Sequence, residues 1–177
     1  MKTNVKNKKY ILTNQTICVD GHTLHRIVAV RNFSNITIGD FGGFVESEEN
    51  LSHEGNCWIA DDAKVYEHSK VFNNAWVGQN ATISQHAKVY GAAEVCGSAK
   101  IYGFAEVKDC AIVFEQAEIY GHAHINNYTR IKGFAKIGGE TVVNNRVCLY
   151  GNTILEGDFM IFQTANNDSN EYTLFVK

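Results

Sequence analysis

An all-β fold, a single-stranded parallel β-helix built from hexapeptide repeats, is what this sequence predicts, and three observations predict it. From Leu51 to Thr164 a six-residue register runs without interruption. Its first position is small, as at Ala87, Ala93, Ala99 and Ala105, and its third is Val, Ile or Leu, as at Val89, Val95, Ile101 and Val107. Proline is absent from the chain, which suits a backbone whose every strand donates to a ladder. A period this short is the mark of a solenoid. Apolar residues two apart, followed by a four-residue gap, do not trace a helical stripe of period 3.6. They describe very short strands, each with two inward residues, separated by corners.

The elements follow in chain order. Residues 1–50 lie outside the register and read as a β-hairpin cap. KYILTNQTICV and HTLHRIVAV are its strands, and Asp20-Gly21 supplies the positive φ of a tight turn. SNITIGDFGGFVES, with Gly39, Gly42 and Gly43, bends the chain from hairpin into first coil. Residues 51–164 then form the helix proper. Eighteen residues close one triangular coil, so this segment makes about six coils and, at ~4.8 Å per rung, a prism roughly 30 Å long. The fifth position is rich in Gly, Asn, Asp, Gln and Glu, residues that tolerate a sharp corner. Residues 165–177 read as a polar loop and one strand, able to cap the far edge or to pair with another subunit.

Composition narrows the function classes. At 177 residues and 45% hydrophobic the chain is one or at most two small domains with room for a core. A net charge of −3 disfavours nucleic acid as the main partner, since phosphate binding asks for a basic face. No apolar run is long enough to span a bilayer. The basic start MKTNVKNKKY leads into no apolar segment of the kind a signal peptide needs, so a cytoplasmic setting is expected. Five scattered cysteines, never spaced as CxxC, point to free thiols rather than zinc, and Cys57 falls in the inward small column.

An eighteen-residue coil makes the outer columns readable. Second and fourth positions point outward, and residues eighteen apart stack. One flat places Trp58 over Trp76 and carries Ile112 and Phe114 further along, an apolar strip suited to a homo-oligomer interface, with a trimer expected first and a dimer next. A second flat stacks Tyr102 over Tyr120 beside Lys100 and Lys136. These, with Arg130, are candidate contacts for a small anionic ligand. His68 and His86 share a corner column, with Phe104 and then His122 beyond. His124 stands directly over Glu106, and a carboxylate that orients an imidazole makes the pair a candidate general base.

The segment GDFGGFVESEENLSHEGNCWIADDAKVY, followed by AxVxG hexapeptides, resembles the YdcK-like proteins of bacteria and their phages. The resemblance implies a left-handed β-helix, and it implies an acyltransferase activity, because hexapeptide-repeat transferases share the prism. Such an enzyme would take a coenzyme A thioester as cofactor, with His124 as base. The uninterrupted register argues the other way, since it leaves no protruding loop to cover a groove. The reading preferred on these grounds is a non-catalytic oligomeric binding or scaffold protein without cofactor. If phage-encoded, it would act in the host cytoplasm on a host protein or by sequestering a small signalling molecule. A structural component of virions or filaments is the third reading.

Overall fold

The computed structural model describes residues 8–163 and 172–176. Strands β1 (Tyr10–Val19) and β2 (His22–Ala29) form the expected hairpin, with Val19 opposite His22. Asp20 and Gly21 turn it with φ of 51° and 85°. β2 pairs antiparallel with β3 (Phe41–Val45), and β3 pairs parallel with Lys64–Val65. Among the described residues the hairpin is thus continuous with the first of three sheets, whose nine strands run on through Lys100–Ile101 and Lys136–Gly139 to Ile154–Gly157. The second sheet has six strands, from Trp58–Ile59 to Cys148–Leu149. The third has seven, from Lys70–Val71 through Phe159–Gln163 to Tyr172–Val176.

Successive rungs are eighteen residues apart, as in Lys100 opposite Glu118 and Ile101 opposite Ile119. Most solenoid strands are two residues long, an outward second position and an inward third. The two inward columns are fully buried through the middle coils, with Ala87, Val89, Ala99, Ile101 and Ala105 all at 0% exposure. A narrow triangular interior explains the alternation of small and branched residues, since two large side chains per strand would overfill it. Each buried Val or Ile contributes about 1.5–3 kcal/mol. Cys57 occupies its inward position at full burial.

Every sixth residue from Gly55 to Gly151 has a positive φ, and many of these are not glycine. The acidic and amide residues among them hold a corner for a specific reason. The side chains of Asp61, Glu67, Gln79, Gln85 and Glu115 each accept a hydrogen bond, 2.5–2.8 Å long, from the backbone N–H eighteen residues on. That bond satisfies a corner donor and offsets the left-handed backbone.

The N-terminal arm closes the first coil. Tyr10 donates its hydroxyl to the Leu51 carbonyl at 2.7 Å and stacks on His53 at 4.4 Å. Phe33 meets the Trp58 indole edge-on at 5.4 Å. Lys9, wholly buried, donates to the Cys57 carbonyl at 2.6 Å, and burial holds its pKa below the usual lysine value. Gly42 makes this closure sterically feasible: a Cβ there would lie 2.6 Å from Trp58 Cζ2 and 2.5 Å from the Ile59 carbonyl oxygen.

Trp58 is therefore 1% exposed, which corrects the expectation that it stands on an open flat. Its column also loses continuity further on, because Glu94 separates Trp76 from Ile112. Phe114 lies on the same flat beneath the Lys132 ammonium, 5.9 Å from its ring centroid. Column arithmetic placed these side chains correctly but could not see the arm that covers the first of them. At the other end Tyr172–Val176 pairs antiparallel with Phe159–Gln163 of the same chain. The polar loop expected before it falls on residues outside those described.

Candidate functional site: a groove beside a stacked histidine column

The corner between the first and third sheets carries a continuous stack of rings. His68 lies on His86 at 4.8 Å, His86 on Phe104 at 4.7 Å, and Phe104 on His122 at 5.0 Å, with interplanar angles of 21°, 3° and 3°. The spacing is that of the rungs, so each ring sits on its neighbour because the coil repeats beneath it. The rings cover one another's faces and turn their edges outward. Beside them runs the second-position column of the third sheet: Lys70, Lys88, Glu106 and His124 in successive register. The two columns line an open groove of about 620 Å³. A second hollow of about 610 Å³ adjoins its head, sharing Glu49, Glu67, His68 and His86 and adding His22 and Glu46. Five of the chain's seven histidines line the two.

His124 and Glu106 do come together. Nδ1 of His124 lies 3.6 Å from Oε2 of Glu106. The same carboxylate accepts from Lys88 Nζ and Tyr90 Oη, each at 2.9 Å. Burial raises the Glu106 pKa, but the Lys88 and Tyr90 hydrogen bonds and the charges of Lys88 and His124 outweigh it and hold the carboxyl low. Burial and Glu106 together push Tyr90 up to about 12. Glu106 is thus an anchored anion with several partners, among which His124 is the most distant.

At the head of the groove the geometry is tighter. Nδ1 of His22 lies 2.9 Å from Glu46 Oε1, and its Nε2 lies 3.8 Å from Glu67 Oε1. The other Glu46 oxygen accepts the Glu67 backbone N–H at 2.7 Å. The Glu46 hydrogen bond raises the His22 pKa against the opposing effect of burial, and the charges of Glu46, Glu67 and Asp20 add to it. Glu46 is lowered in turn, chiefly by His22. This pair was not legible in the sequence, because His22 and Glu46 belong to the cap, where no repeat relates them. Lys70 and Lys88 carried a signal that could have found them, since they stack eighteen apart next to the histidine corner.

The other candidates lie elsewhere. Tyr102 and Tyr120 stack at 5.3 Å on the first sheet, where Lys136 pairs with Glu118 at 3.3 Å and the Tyr120 hydroxyl bonds Glu156. Lys100 stands in the same column, opposite Glu118. Arg130 does not join them: it lies on the second sheet, between Ile112 and Cys148, which corrects its grouping with that ligand set. Among the described residues no group of three or more His, Cys, Asp or Glu side chains is arranged to hold a metal ion.

No protein-family model matches the chain. Over 38 residues, 22% of its length, it is 42% identical to a protein of Escherichia coli strain K12 described as the uncharacterized acetyltransferase YdcK. Over that stretch the chain is similar to YdcK. The match spans 12% of YdcK's own length. It agrees with the resemblance that the junction and hexapeptides carry, and with the β-solenoid that the strands form.

Proposed function

We propose that the chain is a ligand-binding β-solenoid and that the groove beside the histidine column receives a small organic anion. The stack of His68, His86, Phe104 and His122 carries this reading. Stacked rings turn their edges outward, so the wall presents imidazole edges on three of its four rungs beside the column that carries Lys70 and Lys88. The hollow falls within the ~300–1,000 Å³ range of small-molecule sites. Phe104, 53% exposed at a corner, gives the wall an apolar patch among polar edges. A protein that holds such a molecule without transforming it would act by sequestration. The test is native mass spectrometry of the purified protein. A retained small acid is expected, and the Lys70→Ala, Lys88→Ala double variant should lose it; equal retention by both would remove the groove from consideration.

Acetyl transfer is the second reading, favoured by the similarity to YdcK and by His124 over Glu106 in the same groove. In it Glu106 orients the imidazole through Nδ1, and Nε2 takes the proton of an acceptor amine or hydroxyl. Acetyl-coenzyme A would be the donor, with Lys70 and Lys88 the groove cations able to hold its phosphates; the acceptor would take the acetyl group as the thioester C–S bond breaks, and the coenzyme A thiol would leave with the proton. Turnover from acetyl-coenzyme A to amine and amino-sugar acceptors, abolished by His124→Ala with binding retained, would establish this reading over sequestration.

A further inference from the structure

The charge balance of the groove sets a condition on any anion it holds. Its main hollow is lined by the carboxylates of Glu49, Glu67 and Glu106 and by the ammonium groups of Lys70 and Lys88. Three negative charges face two positive ones, so with neutral imidazoles the lining is net negative. Glu106 already engages Lys88, which leaves Lys70 as the cation without an ion pair among the described residues. At the head Glu46 faces His22, and Glu67 lies within 3.8 Å of the same imidazole. The groups able to reverse the sign are the four histidines of the wall and floor, His68, His86, His122 and His124, because imidazole is the side chain that gains charge between pH 5 and 8.

Stacking couples those charges to the ligand. His68 and His86 lie 4.8 Å apart with only a 21° tilt, so two imidazolium rings there repel when the groove is empty. An anion laid along the ring edges faces both and offsets that repulsion. Phe104 separates His86 from His122 by one ring, so protonation at the far end opposes protonation at the near end less than it would between adjacent rings. Ligand and protons therefore favour each other, and by linkage each raises the affinity for the other.

We infer that the groove is a proton-coupled anion site: it takes up protons onto its stacked histidines as it binds an acidic organic molecule, and releases that molecule as the pH rises. This rests on the anion-binding reading above and adds the second species that binds. It also explains why a protein with net charge −3 would place three histidines in one corner column instead of a set of lysines: the site is attractive to anions only in a protonated state.

Calorimetry with benzene disulfonate, a small organic dianion whose own charge is fixed across this range, tests it. Titrations in buffers of different ionisation heat give the protons taken up per ligand, and affinity should fall by roughly tenfold or more between about pH 6 and pH 8. The His68→Asn, His86→Asn variant keeps polar corner groups but cannot titrate at those two positions, while His122 and His124 remain. Its affinity should depend on pH less steeply than that of the wild type, with less proton uptake per ligand. Wild-type binding that is equally tight at both pH values, with no proton uptake, overturns the coupling and leaves the anion site standing. Absence of binding at either pH overturns the anion site itself.

Discussion

Asp109 and Gln85 hold the same left-handed backbone, each with φ of 59°, yet they should respond oppositely to substitution. Gln85 accepts the Gly103 N–H at 2.8 Å, whereas no such bond is formed by the exposed Asp109 side chain. Asp109→Gly should raise stability by about 1 kcal/mol through relief of the left-handed penalty. Gln85→Gly gains the same relief but frees a corner donor, and its melting temperature should change little or fall. Thermal melts of the two variants check the sign. His22 and Glu46 make a prediction in pH. The raised His22 pKa means that its contribution is fully present below the ordinary histidine value of 6.5 and is lost as pH rises through the higher folded value. The lowered Glu46 pKa means that its contribution is present above the ordinary 4.5 and is lost as pH falls through the lower folded value. The melting-temperature difference between wild type and His22→Ala should therefore be largest between those limits and shrink on both sides.

A strand of two residues has no margin for an error of register, and that is why the sequence was so readable here. Val95 inward and Lys100 outward follow from the hexapeptide alone, and the structure places them so, at full burial and at the surface. Val95→Asp buries an unpaired charge and should leave the chain unfolded, as read by circular dichroism, while Lys100→Glu should shift stability by less than about 0.5 kcal/mol. The same periodicity gave the stacking of His68 on His86 and of His124 on Glu106. It could not give Trp58's burial or the His22–Glu46 pair, because those depend on how an aperiodic arm folds back onto the first coil. The count of eighteen does place Arg130, in the column of Ile112 on the second sheet; a shared positive charge with Lys100 and Lys136 does not bring it to their face.

The whole molecule can be shortened in steps, and the two sizes of step should separate folding from binding. Coils interact with their nearest neighbours, so removing one costs one interface and leaves the rest intact. Deletion of residues 93–110, one full coil, brings His122 onto His86 and should give a cooperatively folded protein of lower melting temperature that still binds benzene disulfonate. Deletion of residues 93–104 keeps every inward and outward assignment but carries each later column to a different face. That protein should fold and show much weaker binding, since His122 and His124 leave the groove. Equal binding by the two deletions would mean that the downstream half of the groove does not contribute.

The five side-chain bonds that brace left-handed corners share a direction. In all five, the accepting Asp, Glu or Gln belongs to the earlier coil and the N–H to the later one. During translation, then, the group that completes a corner has already left the ribosome when the corner emerges. The hairpin of β1 and β2 forms from neighbouring residues, and the arm holds the first rung in place. Each new length of nascent chain can add to a finished edge, so the protein should grow as it is made instead of waiting for its C-terminus.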